Sequence, residues 1–343
     1  MITRKDVAER AGVSVSVVSR TMNGRGYVAK EKKEAIFKAV RELGYRPNPI
    51  SNSLKDARTY QLGFFSVNIY NSFYIELFGA LSSYANKKGY TMFLFNSFNE
   101  ERFRNLLLDG IIVESEGNAL ELQQLVGNNF FIPMVSASYG VPVVRTKRIP
   151  YVDVNTYEAM EKGLAYLMKR GHKKIAYGTP FGIKSRTSNT IHSRNVAFEN
   201  VMKPIMGKRH AKYVFVTPVS EEQTDNFERE FFFEAGMAMV DTFVDRKCDA
   251  TAIMCFNDEY ALGVISRFKQ LGYQIPTDIS VMGIDGINKR KNTKPLLTTV
   301  ALNIQEQAEA CVDVLNDVIN GKRVNAISSI KSYLEEGESV RDI

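Results

Sequence analysis

The sequence predicts a small all-α module at the N-terminus followed by a larger α/β body. Three observations point there. The excess positive charge is confined to residues 1–60, where 13 Lys and Arg face 6 Asp and Glu, and this stretch carries the whole net charge of +7. Two short helix signatures meet at a glycine inside it. From Gln61 onward, short β-rich runs alternate with helical runs, the pattern of parallel doubly wound sheets.

A basic module on a neutral body is the electrostatic footprint of a nucleic-acid reader; a solubilising basic face is the alternative. The hydrophobic share of 44% and charged share of 24% in 343 residues suit a globular chain of two or three domains. Cys248, Cys255 and Cys311 are scattered and form no CxxC, so neither a disulfide scaffold nor a zinc site is expected. The N-terminus is polar from Thr3 and no apolar stretch is long enough to span a bilayer, which predicts a cytoplasmic protein.

Within the basic module, Thr3 caps a helix over Arg4 to Ala11, and Asp6 completes a capping box. Gly12 can adopt the left-handed conformation that ends a helix. Ser14 then caps a second helix, Val15 to about Asn23. Val18, Thr21 and Met22 share the face that packs on the first helix. Val15, Ser16, Ser19, Arg20 and Asn23 face the other way. Short polar side chains and one arginine suit a helix entering the major groove, where Arg pairs with guanine and Ser or Asn reaches phosphates or base edges. A helical hairpin with a solvated outer face is the plain alternative. A third helix runs from about Lys30 to Leu43 and stops at Gly44. Asn48 and Pro49 then begin a short segment to Lys55, with Leu54 its one large apolar residue. It is too short to hold as a helix alone and reads equally as a linker.

In the body, strands are expected at Leu62 to Val67, Thr91 to Phe95, Gly110 to Val113, Pro133 to Ser136, Ile175 to Tyr177, Tyr213 to Val216, Ala252 to Phe256 and Ser280 to Ile284. Helices are expected at Phe73 to Lys88, Tyr157 to Arg170, Ser193 to Met202, Phe231 to Asp245, Glu259 to Leu271 and Ile304 to Asn320. Ligands in such folds bind outside the carboxyl ends of the strands. The sequence holds no P-loop, no GxGxxG after a strand and no metal-spaced histidines, and His172, His192 and His210 each stand alone, so no enzyme, cofactor or metal is expected.

Asp6-Val7-Ala8, Ala11-Gly12-Val13-Ser14, Val18-Ser19-Arg20, Asn23-Gly24 and Leu43-Gly44-Tyr45-Arg46-Pro47-Asn48 follow one another at short spacings. Together they resemble the headpiece of the LacI/GalR family of bacterial repressors. Further on, Arg170 to Ala176, Phe256 to Gly263, Asp278 to Asp285 and Leu297 to Val300 resemble that family's body.

The resemblance implies a headpiece over 1–47, a hinge helix and linker over 48–60, and an effector-binding and dimerisation domain over 61–343. It implies two lobes of periplasmic-binding-protein type, the first at about 61–155 plus 287–316 and the second at about 156–286 plus 317–343. Val15 and Ser16 would set operator preference, Arg20 would touch a base, and Ser19 and Asn23 would hold phosphates. Thr3 and Ser14 join this DNA-facing set, and Leu54 would wedge into the minor groove. Phe73, Tyr74, Arg194, Phe231, Asn257 and Asp285 match the ligand cleft, and Asn155-Thr156 stands where the family usually has Asp-Asn. The implied protein is a homodimer on a near-palindromic DNA site, switched by a sugar or sugar phosphate. A purine-type corepressor or a protein partner is the alternative switch, and a solute-uptake protein is opposed by the basic headpiece.

Overall fold

The computed structural model describes residues 2–22, 26–45, 58–97, 106–115, 122, 132–139, 149–181, 193–217, 231–325 and 327–343. The chain forms two compact units, Met1–Thr59 and Tyr60–Ile343.

In the first unit, α1 (Arg4–Ala11) opens on the expected capping box: the Asp6 N–H donates to Thr3 Oγ1, and the Thr3 N–H donates to Asp6 Oδ2 at 2.7 Å. Gly12 ends the helix at φ 65. The Ser14 carbonyl then accepts the N–H groups of Val17 and Val18 and starts α2 (Val15–Met22). Val7, Ala8 and Val18 bury themselves against Ile36 and Ala39 of α3 (Lys30–Leu43). Gly44 closes α3 at φ 63, and Arg10 pairs with Glu42 at 2.6 Å across α1 and α3.

The second unit holds two six-stranded sheets. The first comprises β1 (Gln61–Phe65), β2 (Thr91–Phe95), β3 (Gly110–Val113), β4 (Met134–Ser138), β5 (Tyr151–Val154) and β11 (Ile327–Ile330), in the order β2-β1-β3-β4-β5-β11, all parallel. The second comprises β6 (Ile175–Thr179), β7 (Val214–Val216), β8 (Ala252–Cys255), β9 (Ser280–Asp285), β10 (Thr298–Ala301) and β12 (Tyr333–Glu335). Its order is β7-β6-β8-β9-β10-β12, parallel except for the last pair. The two sheets thus repeat one winding, and each reverses strand order beside its first strand, where such sheets open a crevice. Every residue of β6, β8 and β9 is buried, as expected of parallel strands covered on both faces.

On the first sheet, α4 (Ser72–Lys87) packs against α9 (Ile304–Ile319). On the second, α5 (Thr156–Lys169) packs with α6 (Ser193–Met206), and α7 (Phe231–Asp245) with α8 (Asp258–Gln270). The chain passes between sheets after β5, after β10 and after β11.

This corrects the expected division. Thr298–Ala301 was placed in the first lobe but pairs with β9 in the second sheet, register Thr298 with Met282. Ile327–Ile330 was placed in the second lobe but pairs with β5 in the first. A long-range polar contact accompanies the first difference. Asp258 accepts hydrogen bonds from the N–H groups of Gly286 and Ile287 and from Thr299 Oγ1, which stitches β10 to the end of β9. The changeover follows at Asn303, at φ 52, whose side chain caps α9.

Candidate DNA-facing surface and ligand cleft

On the headpiece, Thr3, Ser14, Val15, Ser16 and Arg20 are exposed and Ser19 is half-buried. Val18 and Thr21 turn inward, so α2 divides into a packed face and an outer face at the expected positions. The Ser14 and Ser16 hydroxyls lie 2.9 Å apart, and Thr3 is engaged in its cap. Asn23 and Leu54 lie outside the described residues, as does the segment Asn48 to Lys55.

In the larger unit, one strand end and two helix starts bring four of the expected cleft residues to one place. Arg194 enters from the first turn of α6, and Asp285 ends β9 with φ 127. Arg194 Nη2 donates to Asp285 Oδ1 at 3.1 Å, with 3% and 1% of the two side chains exposed. The third partner comes from the other lobe. Tyr139 follows β4, its hydroxyl accepts from Arg194 Nη2 at 2.5 Å and donates to Asp285 Oδ1. Its ring lies under the guanidinium at 4.6 Å and against Phe73 at 4.5 Å and Tyr74 at 5.8 Å. Phe73 and Tyr74 occupy the first turn of α4, behind the Asn71 cap, and both are buried.

The guanidinium is also met by Phe256, 4.5 Å from its ring centre. Phe256 follows β8 and leads into a group with Phe181, Phe231 and Phe232, its ring 5.1 Å from Phe181. Within this group Phe231 lies 5.0 Å from Phe232 and 6.5 Å from Phe181, while Phe256 makes the contact with Arg194. Asn257 caps α8, accepting from the Tyr260 N–H at 2.9 Å, while its Nδ2 is buried with no hydrogen-bond partner among the described residues. Arg194 Nε is likewise buried and finds no acceptor among the described residues.

Burial pushes the Asp285 carboxyl up to about 7; Arg194 and the Tyr139 hydrogen bond oppose that rise, and Glu259 and Glu76 add to it. Burial also lifts the phenols of Tyr74 and Tyr139, so both stay neutral and able to donate. Two more polar ties cross the lobes: Ser72 Oγ donates to Glu259 Oε1 at 2.5 Å, and the Asn288 N–H donates to Glu76 Oε1 at 2.7 Å. Asn155 caps α5, and Thr156 Oγ1 lies 2.6 Å from Ser193 Oγ, so this pair positions the helix that delivers Arg194.

Sequence reasoning missed Tyr139, Phe181 and Phe232 as neighbours of the cleft. The motif around Phe256 was read for Asn257 alone. Tyr139 carried a signal that could have been used: a large aromatic directly after a buried strand, where the chain leaves the sheet.

Residues 3–48 match the pattern of bacterial regulatory proteins of the lacI family, and residues 164–340 match the periplasmic binding protein-like domain. The HTH-type transcriptional repressor PurR of Vibrio atlanticus is 30% identical over 330 residues, spanning 94% of this chain and 93% of that protein. The lac repressor dimer bound to operator and the anti-inducer ONPF superposes with a TM-score of 0.72 at 20% identity over 99% of both chains. A LacI family regulator from Enterococcus faecium with bound ribose superposes with a TM-score of 0.66 at 21% identity, over 82% of this chain and 99% of that one. The exposed outer face of α2, the two lobes of one winding and this agreement along the whole chain lead to one assignment: the chain belongs to the lacI family of bacterial regulatory proteins, DNA-binding repressors of transcription.

Proposed function

We propose that the chain represses transcription as a dimer on a near-palindromic operator, and that a small polyhydroxylated ligand, a sugar, held between the lobes sets its affinity for DNA. Val15, Ser16 and Arg20 would read the major groove, while Thr3, Ser14, Ser19 and Asn23 would lie along the phosphates. Leu54 would wedge the minor groove at the operator centre.

One observation carries the ligand reading. In a buried ion pair between Arg194 at a helix start and Asp285 at a strand end, Arg194 Nε finds no acceptor among the described residues, and Asn257 at the start of α8 holds a second such buried donor, Nδ2. An unmet buried donor costs about 1–3 kcal/mol, which a ligand oxygen would recover. Phe73 and Tyr74 supply apolar faces near the pair, and Phe231 belongs to the aromatic group farther out. A neutral sugar suits the site better than a phosphate ester, because Glu76, Glu259 and Asp285 crowd the seam with negative charge. The ribose in the Enterococcus neighbour supports a sugar. A flat purine is the second reading, favoured by the group of Phe181, Phe231, Phe232 and Phe256 and by relatives that carry the name PurR.

The switch is linkage: a ligand that changes the angle between lobes changes operator affinity, and operator changes ligand affinity by the same factor. The test is selection of genomic fragments by the full chain at near-physiological salt, with and without sugars or purine bases. Fragments sharing a near-palindrome, released or gained with one ligand class, are expected. Retention of unrelated fragments under every condition would sink the reading.

A further inference from the structure

We propose that Tyr139 is a built-in stand-in for the ligand: its phenol fills the place in which Arg194 and Asp285 would hold a ligand hydroxyl. This rests on the cleft being the effector site and deepens it by naming the group that is recognised.

The Tyr139 hydroxyl accepts from Arg194 Nη2 and donates to Asp285 Oδ1, and so uses both capacities of a hydroxyl on one buried pair. A ligand alcohol would make the same two bonds. The contact is also held by chain from both lobes. Tyr139 belongs to the first through β4, whose last residue, Ser138, gives its carbonyl to Gln307 Nε2 of α9. Arg194 and Asp285 belong to the second. Tyr139 keeps part of its surface exposed, whereas its two partners are almost fully enclosed, so it is the most accessible member of the triad even though its hydroxyl is itself buried.

Two consequences follow. An effector must carry a hydroxyl attached to a ring, because it replaces a phenol that is stacked beneath the guanidinium at 4.6 Å. It must not present an anion at that point, because Asp285 lies there.

The test uses the full chain and three small aromatic probes. In Tyr139→Ala, p-cresol should restore melting temperature, binding about ten-fold or more tightly than toluene, the fold-change expected when a hydroxyl meets charged partners. The anion 4-methylbenzoate should not bind, and the wild type should respond to none of them. Equal effects of p-cresol and toluene, or no effect of p-cresol, would overturn the proposal. If Tyr139→Ala does not fold, Tyr139→Phe decides: it keeps the ring, and it should lower the melting temperature and speed amide exchange at the start of α6. An unchanged melt and exchange would overturn the stand-in. No operator or metabolite enters these measurements, so their failure leaves the repressor reading intact. An effector found to bind outside the cleft would remove the stand-in as well, because Tyr139 would then have no ligand to imitate.

Discussion

Arg194 and Asp285 form an ion pair 3.1 Å long at the meeting of the two lobes, with the guanidinium against the rings of both Tyr139 and Phe256. Such a pair resists the loss of one member more than the loss of both. Arg194→Ala should destabilise the protein by about 3–5 kcal/mol in denaturant unfolding, because it strands a buried carboxyl. Combining it with Asp285→Asn should cost clearly less than the sum of the two single changes, which a double-mutant cycle would read directly. Strict additivity would mean that the two do not interact in solution. In the same Arg194→Ala variant, thermal stabilisation by a bound effector should disappear.

Stability should depend on pH through the cleft. The Asp285 carboxyl is held at about 7, above the value of about 3.9 in an unfolded chain. Between these limits the folded protein keeps a proton that the unfolded chain releases. The resulting stabilisation is complete below about 4 and is lost as pH rises through about 7. Burial raises Glu76, Glu114 and Glu259 as well, and these act with the same sign. The exposed Asp249, held at about 2 by Lys174, acts in the opposite sense and is screened by solvent. The melting temperature should therefore fall from about pH 5 to about pH 8, and Asp285→Asn should flatten part of that slope.

Helices α7 and α8 cross with backbone against backbone. A Cβ on Gly236 would run into the Tyr260 carbonyl, and one on Gly263 into that of Phe233. Gly236→Ala should lower stability by about 1–3 kcal/mol through overpacking, despite its gain in helix propensity. A calorimetric melt equal to or above that of the parent would show that the helices can separate freely.

Thr3→Ala removes the side chain that accepts from the Asp6 N–H. The headpiece helix should lose about 1 kcal/mol, seen as an earlier headpiece transition in circular dichroism with the main unfolding unchanged.

Leu54→Ala tests the proposed minor-groove wedge. Binding to a selected operator should weaken much more than binding to random DNA in a retention assay at fixed salt. Equal losses on both would argue against it.

The headpiece was the most legible part of the sequence. Its signals are local: Thr3 with Asp6 for the first cap, Gly12 and Gly44 for the stops, and Val18 with Thr21 for the packed face. The α/β alternation was legible for the same reason, and the helices begin and end within a residue or so of expectation except α6, which continues to Met206. Lobe membership was not. Whether β10 pairs with β9 or returns to the first sheet depends on Asp258, a residue forty positions earlier that reaches Thr299 through its side chain. In the cleft, Arg194, Asn257 and Asp285 stood out because polar residues at strand ends and helix starts are conspicuous. Tyr139 offered only its place directly after a buried strand, and that local signal does not say that it answers to residues in another lobe.

The three passages of the chain between the sheets, after β5, β10 and β11, bear on how the cleft meets its ligand. Walls joined covalently at three places never diffuse apart, so each faces the other at a local concentration that no pair of free molecules would reach. A ligand caught by one lobe then needs no second encounter to meet the other. Much of the orientational entropy of assembling a two-walled site is thus spent during folding rather than at binding. The same tethers bring Tyr139 to Arg194 and Asp285, and an incoming hydroxyl must compete with a neighbour that is always present.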